Sequence, residues 1–276
     1  MKQYLKALKH CYEKGIDVDS RAGRVRKAFG FQMRFDLKEG FPALTTKKLA
    51  WKSVTSELIW FLEGSDDERR LAEIHYQEDR KNLKDKKTIW TENSQSKYWK
   101  KRSKFEGDVG RIYGVQWRDF NGTDQIKILI QGIKENPHSR RHILSAWNPA
   151  ELNLMSLPPC HAFSQFFISK GKLSCQLYQR SCDMFLGVPF NIASYSLLTH
   201  LIAEECNLLV DEFIHTLGDY HIYHEHFEQV MTQLKREPKK MPKLKFVKKN
   251  IFSYNVNDFN LVDYDPHPTI KAQMNV

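Results

Sequence analysis

Four short segments of this 276-residue chain carry side chains that could do chemistry together. They are residues 157–161 (LPPCH), 179–183 (QRSCD), 189–191 (PFN) and 221–223 (HIY). A thiolate is a strong nucleophile, and a neighbouring guanidinium lowers the pKa of its thiol, so Cys160 and Arg180 could form a nucleophile and its activator. Taken singly, however, a cysteine at the start of a strand is more often a small buried apolar residue. Arg180 alone would more often be a surface or packing residue, and Asn191 a helix cap.

Several other catalytic signatures are missing from the sequence. It contains neither GxxxxGK[ST] nor GxGxxG, the usual phosphate-binding and dinucleotide-binding patterns. His221, His224 and His226 cluster with Glu225, but no HExxH spacing or cysteine partner supports a metal site. The run at 159–161 (PCH) departs from the PCxxC of zinc deaminases after two letters. The sequence therefore predicts no metal centre.

The spacing of apolar residues predicts four helices that could position these groups. They cover residues 4–12 before Gly15, 53–62 before Gly64, a segment after Thr123 or Asp124 that ends near Pro137, and residues 191–206. Glu57 lies in the second of them, between apolar residues. Taken alone, Glu57 could be a solvent-facing residue of an amphipathic helix.

Strands are predicted at residues 143–147, 160–168, 173–179 and 243–247, with a turn at 169–172 joining the second and third. Helices and strands mix without a strict βαβ rhythm, which predicts an α+β fold with a mixed β-sheet core flanked by helices. With no repeat and no linker, residues 1–276 are predicted to form a single domain. Residues 66–104 are polar and weakly periodic, which indicates a helical excursion and a flexible loop. A basic variable loop is expected at about 79–107.

The composition, 41% hydrophobic and 12% aromatic, is typical of a globular protein with a sizeable core. The longest apolar stretch, residues 185–203, is broken by Pro189, Asn191 and His200, so it does not predict a membrane span. The amino terminus has no apolar signal core, and the five cysteines form no CxxC pair. These features exclude membrane, fibrous and disulfide-scaffold classes and favour a reducing, cytoplasmic setting.

The net charge of +10 comes from two basic segments. Residues 80–104 carry ten Lys and Arg against two acidic residues, and residues 235–249 carry eight against one. Aromatic residues interleave only the first segment, through Trp90, Tyr98 and Trp99. Solvated loops with lysine side chains are the simpler interpretation, and RNA binding by residues 80–104 is the alternative.

The four segments, in this order, resemble the thymidylate synthase family. The resemblance runs nearly end to end, from residue 1 to residue 276. Further matching strings are GFP (40–42), TTK (45–47), ELIWFL (57–62), YG (113–114), QWR (116–118), SRR (139–141), SAW (145–147), YDPHP (264–268) and IK (270–271). Several of these strings are long and compositionally unusual, so the resemblance favours functional roles over the simpler interpretations of Cys160, Arg180 and Asn191.

Enzymes of this family methylate C5 of the uracil ring of dUMP, with methylene-tetrahydrofolate as carbon donor and reductant. C5 is a poor nucleophile, and addition of a thiolate to C6 turns the ring into an enolate that attacks through C5. The resemblance implies that Cys160 is this nucleophile and that Arg180 holds the phosphate and keeps the thiolate ionised. It also implies that Glu57 moves protons near C5 and O4. The complete implied catalytic set is Cys160, Glu57, Arg180, Asn191, Tyr113, His161 and Asp183.

The resemblance also implies the contacts with dUMP. They are Arg21, Arg140, Arg141, Gln179, Arg180, Ser181, Asp183, Asn191, His221 and Tyr223. Arg140 and Arg141 would reach across from a second subunit, so a homodimer is expected. The Asn191 carboxamide would donate to O4 and accept from N3–H of uracil. Cytosine reverses both groups, at a cost of about 1–3 kcal/mol when the amide cannot flip, so Asn191 predicts a uracil substrate.

The implied contacts with the folate are Lys47, Trp90, Asp183, Leu186, Gly187, Phe190 and Val276. The carboxyl-terminal tail that ends at Val276 would close over both ligands and exclude water, as a lid does. By the same resemblance, methylene-tetrahydrofolate is a co-substrate.

Some positions depart from the family pattern. The phosphate-binding loop, usually DRTGTGT, reads SRAGRVR at residues 20–26, and the family's Trp-Asp pair is Trp90-Thr91. Gly110-Arg111 replaces Gly-Pro, and LGDYH at 217–221 replaces GGDTH. Drift explains such changes most simply. The alternative is a retuned pocket in which water rather than hydride adds to the exocyclic methylene intermediate, which would make the protein a deoxyuridylate 5-hydroxymethylase. Trp90 and Val276 favour methylation.

Overall fold

A six-stranded mixed β-sheet forms the centre of the protein in a computed structural model that describes residues 1–20 and 22–274. The strands lie in the order β1-β2-β6-β5-β4-β3, and among the described residues of this sheet only the β5–β6 pair is parallel. They are β1 Ile16–Ser20, β2 Gly23–Asp36, β3 Ile143–Ser145, β4 His161–Ser169, β5 Lys172–Asp183 and β6 Leu209–Tyr223. A separate antiparallel pair comprises β7 Lys243–Lys245 and β8 Asn260–Val262.

Nine α-helical segments lie within these described ranges. They are α1 Lys2–Lys14, α2 Trp51–Glu63, α3 Glu68–Tyr76, α4 Thr91–Ser94, α5 Lys97–Lys100, α6 Tyr113–Arg118, α7 Gln125–Glu135, α8 Gly187–Glu205 and α9 Phe227–Leu234. Helix α8 connects the parallel strands β5 and β6 and packs on both. The predicted α+β class, with a mixed sheet flanked by helices in one domain, is confirmed.

The four predicted helices are confirmed as α1, α2, α7 and α8. Gly64 ends α2 with a left-handed φ of 73°, and the Asp124 side chain caps α7 by accepting from Lys127 N. Helix α8 begins one turn before its predicted start at residue 191. Pro189 does not break the helix because it falls in the first turn, where the backbone N–H has no partner within the helix. Helix α2 is buried on every side from Val54 to Leu62, so the interpretation of Glu57 as a solvent-facing residue is wrong.

Each of the four predicted strands forms, with shifted bounds. The turn at residues 169–172 is confirmed, and Lys170 and Gly171 both have positive φ (49° and 70°), as a two-residue hairpin turn requires. No local pattern predicted β1, β2, β6 and β8. Charged residues along β2 obscure its alternation. They pair across strands instead, as in the contacts Arg26–Asp17 and Arg34–Glu212 (both 2.7 Å).

The segment expected to be a basic variable loop has more structure than predicted. Between residues 79 and 107 it contains a 3₁₀ turn and the short helices α4 and α5. Trp90 and Trp99 are buried in it, and the Trp99 indole donates to Asp108 O at 2.7 Å. Burial of these two rings holds the segment against the domain. Within the described ranges, no helix has the length and apolarity that a bilayer crossing needs.

The strand register brings the chemistry-bearing segments to one end of the sheet. His161, the first residue of β4, is opposite Gln179 on β5, and Asp183 at the end of β5 is opposite His221 on β6. Helix α8 starts directly after β5, so Asn191 in its second turn lies at the same end. Segments that are far apart in the sequence therefore meet at one edge.

Candidate active site

Cys160 and Arg180 are neighbours at this end of the sheet. The Arg180 N–H donates to Cys160 O at 2.8 Å. The Arg180 guanidinium donates through Nε to Pro159 O (2.8 Å) and through Nη2 to Pro158 O (2.7 Å). It also lies 5.2 Å from the centre of the Trp147 ring. These contacts fix the cation beside the loop that presents the thiol.

The pKa of the Cys160 thiol reflects two opposing effects. Burial of the thiol is the larger effect and leaves its pKa raised above the ordinary value, and the positive charge of Arg180 lowers the pKa in part. Hydrogen bonds from Tyr113 and Ser181 also favour the thiolate. The Tyr113 hydroxyl accepts from Cys160 N at 2.7 Å, which fixes the backbone of the nucleophile. Removal of Arg180 would therefore raise the pKa of the thiol further.

A cavity of about 430 Å³ opens beside Arg180 and Ser181. Its described lining residues are Val18, Asp19, Ser20, Ala22, Val25, Lys27, Arg180, Ser181, Asp219, His221 and Tyr223. Lys27 was not predicted as a site residue, and its Nζ lies 2.7 Å from Asp219 Oδ2. Arg21, expected to bind phosphate, lies outside the described residues. Arg180, Lys27 and the hydroxyls of Ser20 and Ser181 are groups that can bind an anion, and the lining also carries the carboxylates of Asp19 and Asp219.

Two basic residues of the altered loop at 20–26, Arg24 and Arg26, have a partner on strand β1. Arg26 Nε lies 2.7 Å from Asp17 Oδ1, and Arg24 Nη2 lies 4.0 Å from the same carboxylate. Arg26 also stacks on the Phe227 ring at 4.9 Å. Both arginines therefore brace the β1–β2 hairpin through Asp17.

Gln179 is held by a histidine that the sequence analysis did not single out. His215 lies fully buried on β6, and its Nε2 is 2.8 Å from Gln179 Oε1. Burial lowers the His215 pKa to about 3, so the ring is neutral and donates to the amide oxygen. The Gln179 amide nitrogen donates to Ser181 O at 3.0 Å. Nothing in the sequence distinguished His215 from an ordinary strand residue.

Asn191 offers an amide for recognition. It lies on α8 at 8% exposure, and its carboxamide makes no hydrogen bond to any described residue. A nearly buried amide without a protein partner has its donor and acceptor available to a ligand. Asn191 is therefore a helix-interior residue, and its interpretation as a helix cap is wrong.

Glu57 is a buried carboxyl group with one donor. The Trp90 indole N–H donates to Glu57 Oε1 at 2.7 Å. Burial raises the pKa of Glu57 from its ordinary 4.5 to about 7, and the Trp90 hydrogen bond lowers it in part. A carboxyl group with a pKa near neutrality exchanges protons readily, as a general acid or base must.

Tyr113 and His161 stack on each other beside Cys160. Their ring centres are 3.9 Å apart with an interplanar angle of 23°, and the Phe61 ring packs against both, with its centre 5.0 Å from that of Tyr113 and 6.2 Å from that of His161. His161 Nδ1 lies 2.8 Å from the Tyr195 hydroxyl. Burial lowers the His161 pKa to about 3, so the imidazole stays neutral. The stack supplies polar groups without adding charge.

The model of the family described as thymidylate synthase matches residues 2–276, essentially the whole chain. The chain belongs to the thymidylate synthase family. It is therefore a transferase of nucleotide biosynthesis with a role in the methylation or hydroxymethylation of dUMP. Members of this family use methylenetetrahydrofolate as co-substrate. The residues expected from the family in this chain are accordingly candidates for contacts with a nucleotide and a folate.

One carboxylate fixes the turn that leads to the candidate folate residues at the start of α8. Asp183 Oδ1 accepts from the backbone N–H of Phe185 (2.9 Å) and Leu186 (3.2 Å) and so fixes the turn into α8. Gly187 and Phe190 follow in the first turn of that helix, both half-buried. Asp183 therefore fixes the position of these candidate folate residues.

Lys47 lies behind that turn and is almost buried. Its Nζ donates to Phe185 O at 2.5 Å and lies 3.5 Å from the centre of the Phe185 ring. Burial lowers the Lys47 pKa to about 8, and the nearby carboxylate of Asp183 raises it in part. Lys47 thus braces the carbonyl at residue 185.

A second cavity, of about 290 Å³, lies against Glu57. Its described lining residues are Ser53, Ser56, Glu57, Leu71, His75, Lys87, Thr88, Ile89 and Met274. Met274 belongs to the carboxyl-terminal tail, which the His226–Gln273 O contact (2.8 Å) holds nearby. Val276 lies outside the described residues. Of these lining residues, only Glu57 was singled out in the sequence analysis, because serines and a histidine on helices carry no distinguishing pattern.

Arg140 and Arg141 are placed apart from the cavity beside Arg180. Both are exposed, directly before β3, and neither lines that cavity as far as the described residues go. Arg140 O accepts from Gln165 Nε2 at 3.1 Å. This contact anchors the pair beside the outer face of the sheet, which is the face that carries the exposed side chains of Phe163, Gln165 and Phe167 on β4. Residues 1–20 and 22–274 contain no group of three or more His, Cys, Asp or Glu side chains suited to a metal ion.

Proposed function

We propose that this protein converts dUMP to dTMP with methylene-tetrahydrofolate and releases dihydrofolate, through a covalent bond between Cys160 and C6 of the uracil ring. One observation carries the proposal, the fixed position of the Arg180 guanidinium beside the loop that presents the Cys160 thiol. A cation held there favours the thiolate, which is the nucleophile that the reaction needs.

The cavity of about 430 Å³ suits the nucleotide phosphate. Arg180 uses Nε and Nη2 on backbone carbonyls, and its Nη1 has no partner among the described residues. That group, with Ser181 and Lys27, would receive the phosphate, while His221 and Tyr223 line the same cavity toward the sugar. Arg21 would add a further contact. Arg180 would thus hold the substrate phosphate and the Cys160 thiolate in fixed positions relative to each other.

Two residues on different helices, Asn191 and Glu57, would recognise uracil and transfer protons. The unpartnered Asn191 amide would donate to O4 and accept from N3–H, which cytosine cannot reciprocate. The Glu57 carboxyl group would move protons near C5 and O4, since its pKa lies near neutrality. The stacked rings of Tyr113 and His161 would add ordered polar groups to the site.

Hydride transfer rather than water addition requires a dry, well-held folate. Trp90 is 5% exposed, donates to Glu57 and packs edge-on against Tyr113 at 5.8 Å. A ring fixed on two sides supports a folate held close to C5. The folate supplies the carbon and the hydride, and the chain supplies its placement. Closure of the tail from Met274 to Val276 over the 290 Å³ cavity would exclude water further.

We also propose a homodimer that packs through the outer face of the sheet. Phe163 and Phe167 on β4 are 42% and 65% exposed on that face, and Phe163 stacks on Tyr178. The polar residues beside them include uncharged Gln165 and Gln176. A face of exposed aromatics and amides suits burial against a second copy. Arg140 and Arg141 lie beside this face, from which they would reach the phosphate of the partner's nucleotide.

Product analysis tests the proposal. The protein is incubated with dUMP and methylene-tetrahydrofolate, and nucleotide and folate products are quantified by mass spectrometry. We expect dTMP and dihydrofolate in equal amounts, and none from the matched variant Cys160→Ser. Formation of 5-hydroxymethyl-dUMP with tetrahydrofolate would assign the protein as the hydroxymethylase instead. A folded sample that binds both ligands but forms neither dTMP nor 5-hydroxymethyl-dUMP would refute the proposal.

A further inference from the structure

A second buried carboxylate, Glu68, is hydrogen-bonded to the chain on each side of Trp90. It is the first residue of α3 and only 1% exposed. Arg69 pairs with it in a two-pronged contact, through Nε to Oε2 and Nη2 to Oε1, both at 2.6 Å. A paired carboxylate in so buried a position needs all its hydrogen bonds to be satisfied. The remaining donors come from one short segment of chain.

That segment surrounds Trp90. The Thr88 and Thr91 hydroxyls donate to Glu68 Oε1 at 2.6 and 2.7 Å. The same two hydroxyls accept backbone N–H groups, with Trp90 N donating to Thr88 (3.1 Å) and Thr88 N donating to Thr91 (2.8 Å). Each hydroxyl has one proton, and donation of that proton to Glu68 leaves its oxygen facing the backbone. The carboxylate therefore orients both hydroxyls and fixes the backbone on each side of Trp90.

The side chain of Trp90 meets the functional carboxyl group. Its indole N–H donates to Glu57 at 2.7 Å, and its ring packs against Trp60 at 5.9 Å. A continuous chain of hydrogen bonds and covalent bonds thus runs from Glu68 through the threonines and Trp90 to Glu57. Both carboxyl groups are buried, at 5% exposure for Glu57 and 1% for Glu68, where hydrogen bonds are stronger than in water.

We propose that Glu68 is a positioning residue that, through Thr88 and Thr91, holds the Trp90 indole in hydrogen-bonding position to Glu57. The link exists in the free protein. Its effect on turnover rests on the proposed function, whereas the contact itself does not. Thr91 stands where the family pattern has aspartate after tryptophan. Thr91 Oγ1 is 3.4 Å from Arg69 Nη2, so a carboxylate at position 91 would reach the same guanidinium. Here Glu68 supplies that negative charge from α3.

The test measures the proton affinity of Glu57 without ligands, by infrared titration of its carboxyl band, identified by subtraction of the Glu57→Gln spectrum. The other titratable groups facing Glu57 are Tyr113 and Tyr195, whose charges couple to it, and His75 and Lys87, which line its cavity. All four are kept in every variant. We expect Glu68→Gln to raise the proton affinity of Glu57 about tenfold, because a poorly aimed indole no longer stabilises the anion.

Trp90→Phe should raise the proton affinity of Glu57 by a similar factor, and Glu68→Gln added to Trp90→Phe should change it no further. An additional rise in that double variant would show that Glu68 acts on Glu57 by another route and would overturn the proposal. Unchanged titration in Glu68→Gln alone would do the same.

A rescue variant and a pair of conservative substitutions at Thr91 distinguish the proposed effect from misfolding. Glu68→Gln combined with Thr91→Asp should return the Glu57 titration toward that of the parent, since the carboxylate again faces Arg69. In the otherwise intact protein, Thr91→Val removes the hydroxyl at nearly constant volume and should raise the proton affinity of Glu57, whereas Thr91→Ser should not. Equal titrations for the Val and Ser variants would contradict the inference, whether or not the protein makes dTMP.

Discussion

Replacement of Glu57 by glutamine should stabilise the protein above neutral pH. Burial raises the Glu57 pKa from 4.5 to about 7, and this difference corresponds to about 3 kcal/mol at about 1.4 kcal/mol per pH unit. The introduced carboxamide would keep an oxygen to accept from Trp90, so the native hydrogen bond at 2.7 Å has a substitute. The cost removed by the substitution is that of an ionised carboxylate in a buried position.

The pH dependence follows from proton binding. Below about pH 4.5 the carboxyl group is protonated in both the folded and the unfolded protein, so it contributes no pH dependence. Between 4.5 and about 7 only the folded protein keeps the proton, and its stability falls as pH rises. Above about 7 the full cost is present. The advantage of Glu57→Gln over the parent should therefore grow by about 3 kcal/mol between pH 4.5 and pH 8.

Urea unfolding of both proteins at a series of pH values and one protein concentration measures this difference. The other titrating groups are common to both proteins and cancel when the two free energies of unfolding are subtracted. Glu57→Gln should also abolish turnover. A difference in unfolding free energy that stays constant with pH would refute the raised pKa and, with it, the proposed proton-transfer role.

Three further substitutions test separate parts of the structure. Asn191→Asp should erode the preference for dUMP over dCMP by about tenfold or more, measured as relative binding, and unchanged discrimination would remove its role in base recognition. Arg180→Gln should move alkylation of the active-site thiol by iodoacetamide to higher pH, since the opposing charge is gone. Gly114→Ala places a Cβ 2.6 Å from the backbone of α2 and should lower the free energy of unfolding by about 1–3 kcal/mol. In Gly132→Ala the new Cβ lies 3.5 Å from its nearest neighbour, so this control should be neutral or stabilising.

Local sequence signals predicted the elements whose apolar pattern is regular. Helices α1 and α7 each bury one stripe of apolar residues, and the β4–β5 hairpin carries a turn that tolerates positive φ. Strands β2 and β6 were not predicted, because their charged residues pair across the sheet, as Lys27 does with Asp219. Such pairing is a long-range property that no local window contains.

The candidate site divides in the same way. Cys160, Arg180 and Asn191 stood out by residue type and order, and the strand register brings their segments to one end of the sheet. His215 and Glu68 could not be found from the sequence, because their roles depend on contacts with residues 36 and 23 positions away. Residues that support a site have ordinary sequence surroundings, and only the folded chain reveals what they hold.

The covalent role of Cys160 is tested most directly by 5-fluoro-dUMP, whose fluorine replaces the C5 proton that the reaction must remove. The reduced protein is incubated with this nucleotide and methylene-tetrahydrofolate, and intact mass and peptide mapping follow. We predict a stable adduct of one nucleotide and one folate per chain, on the peptide that contains Cys160 and absent in Cys160→Ser. A folded protein that binds both ligands yet forms no adduct at Cys160 would contradict the account.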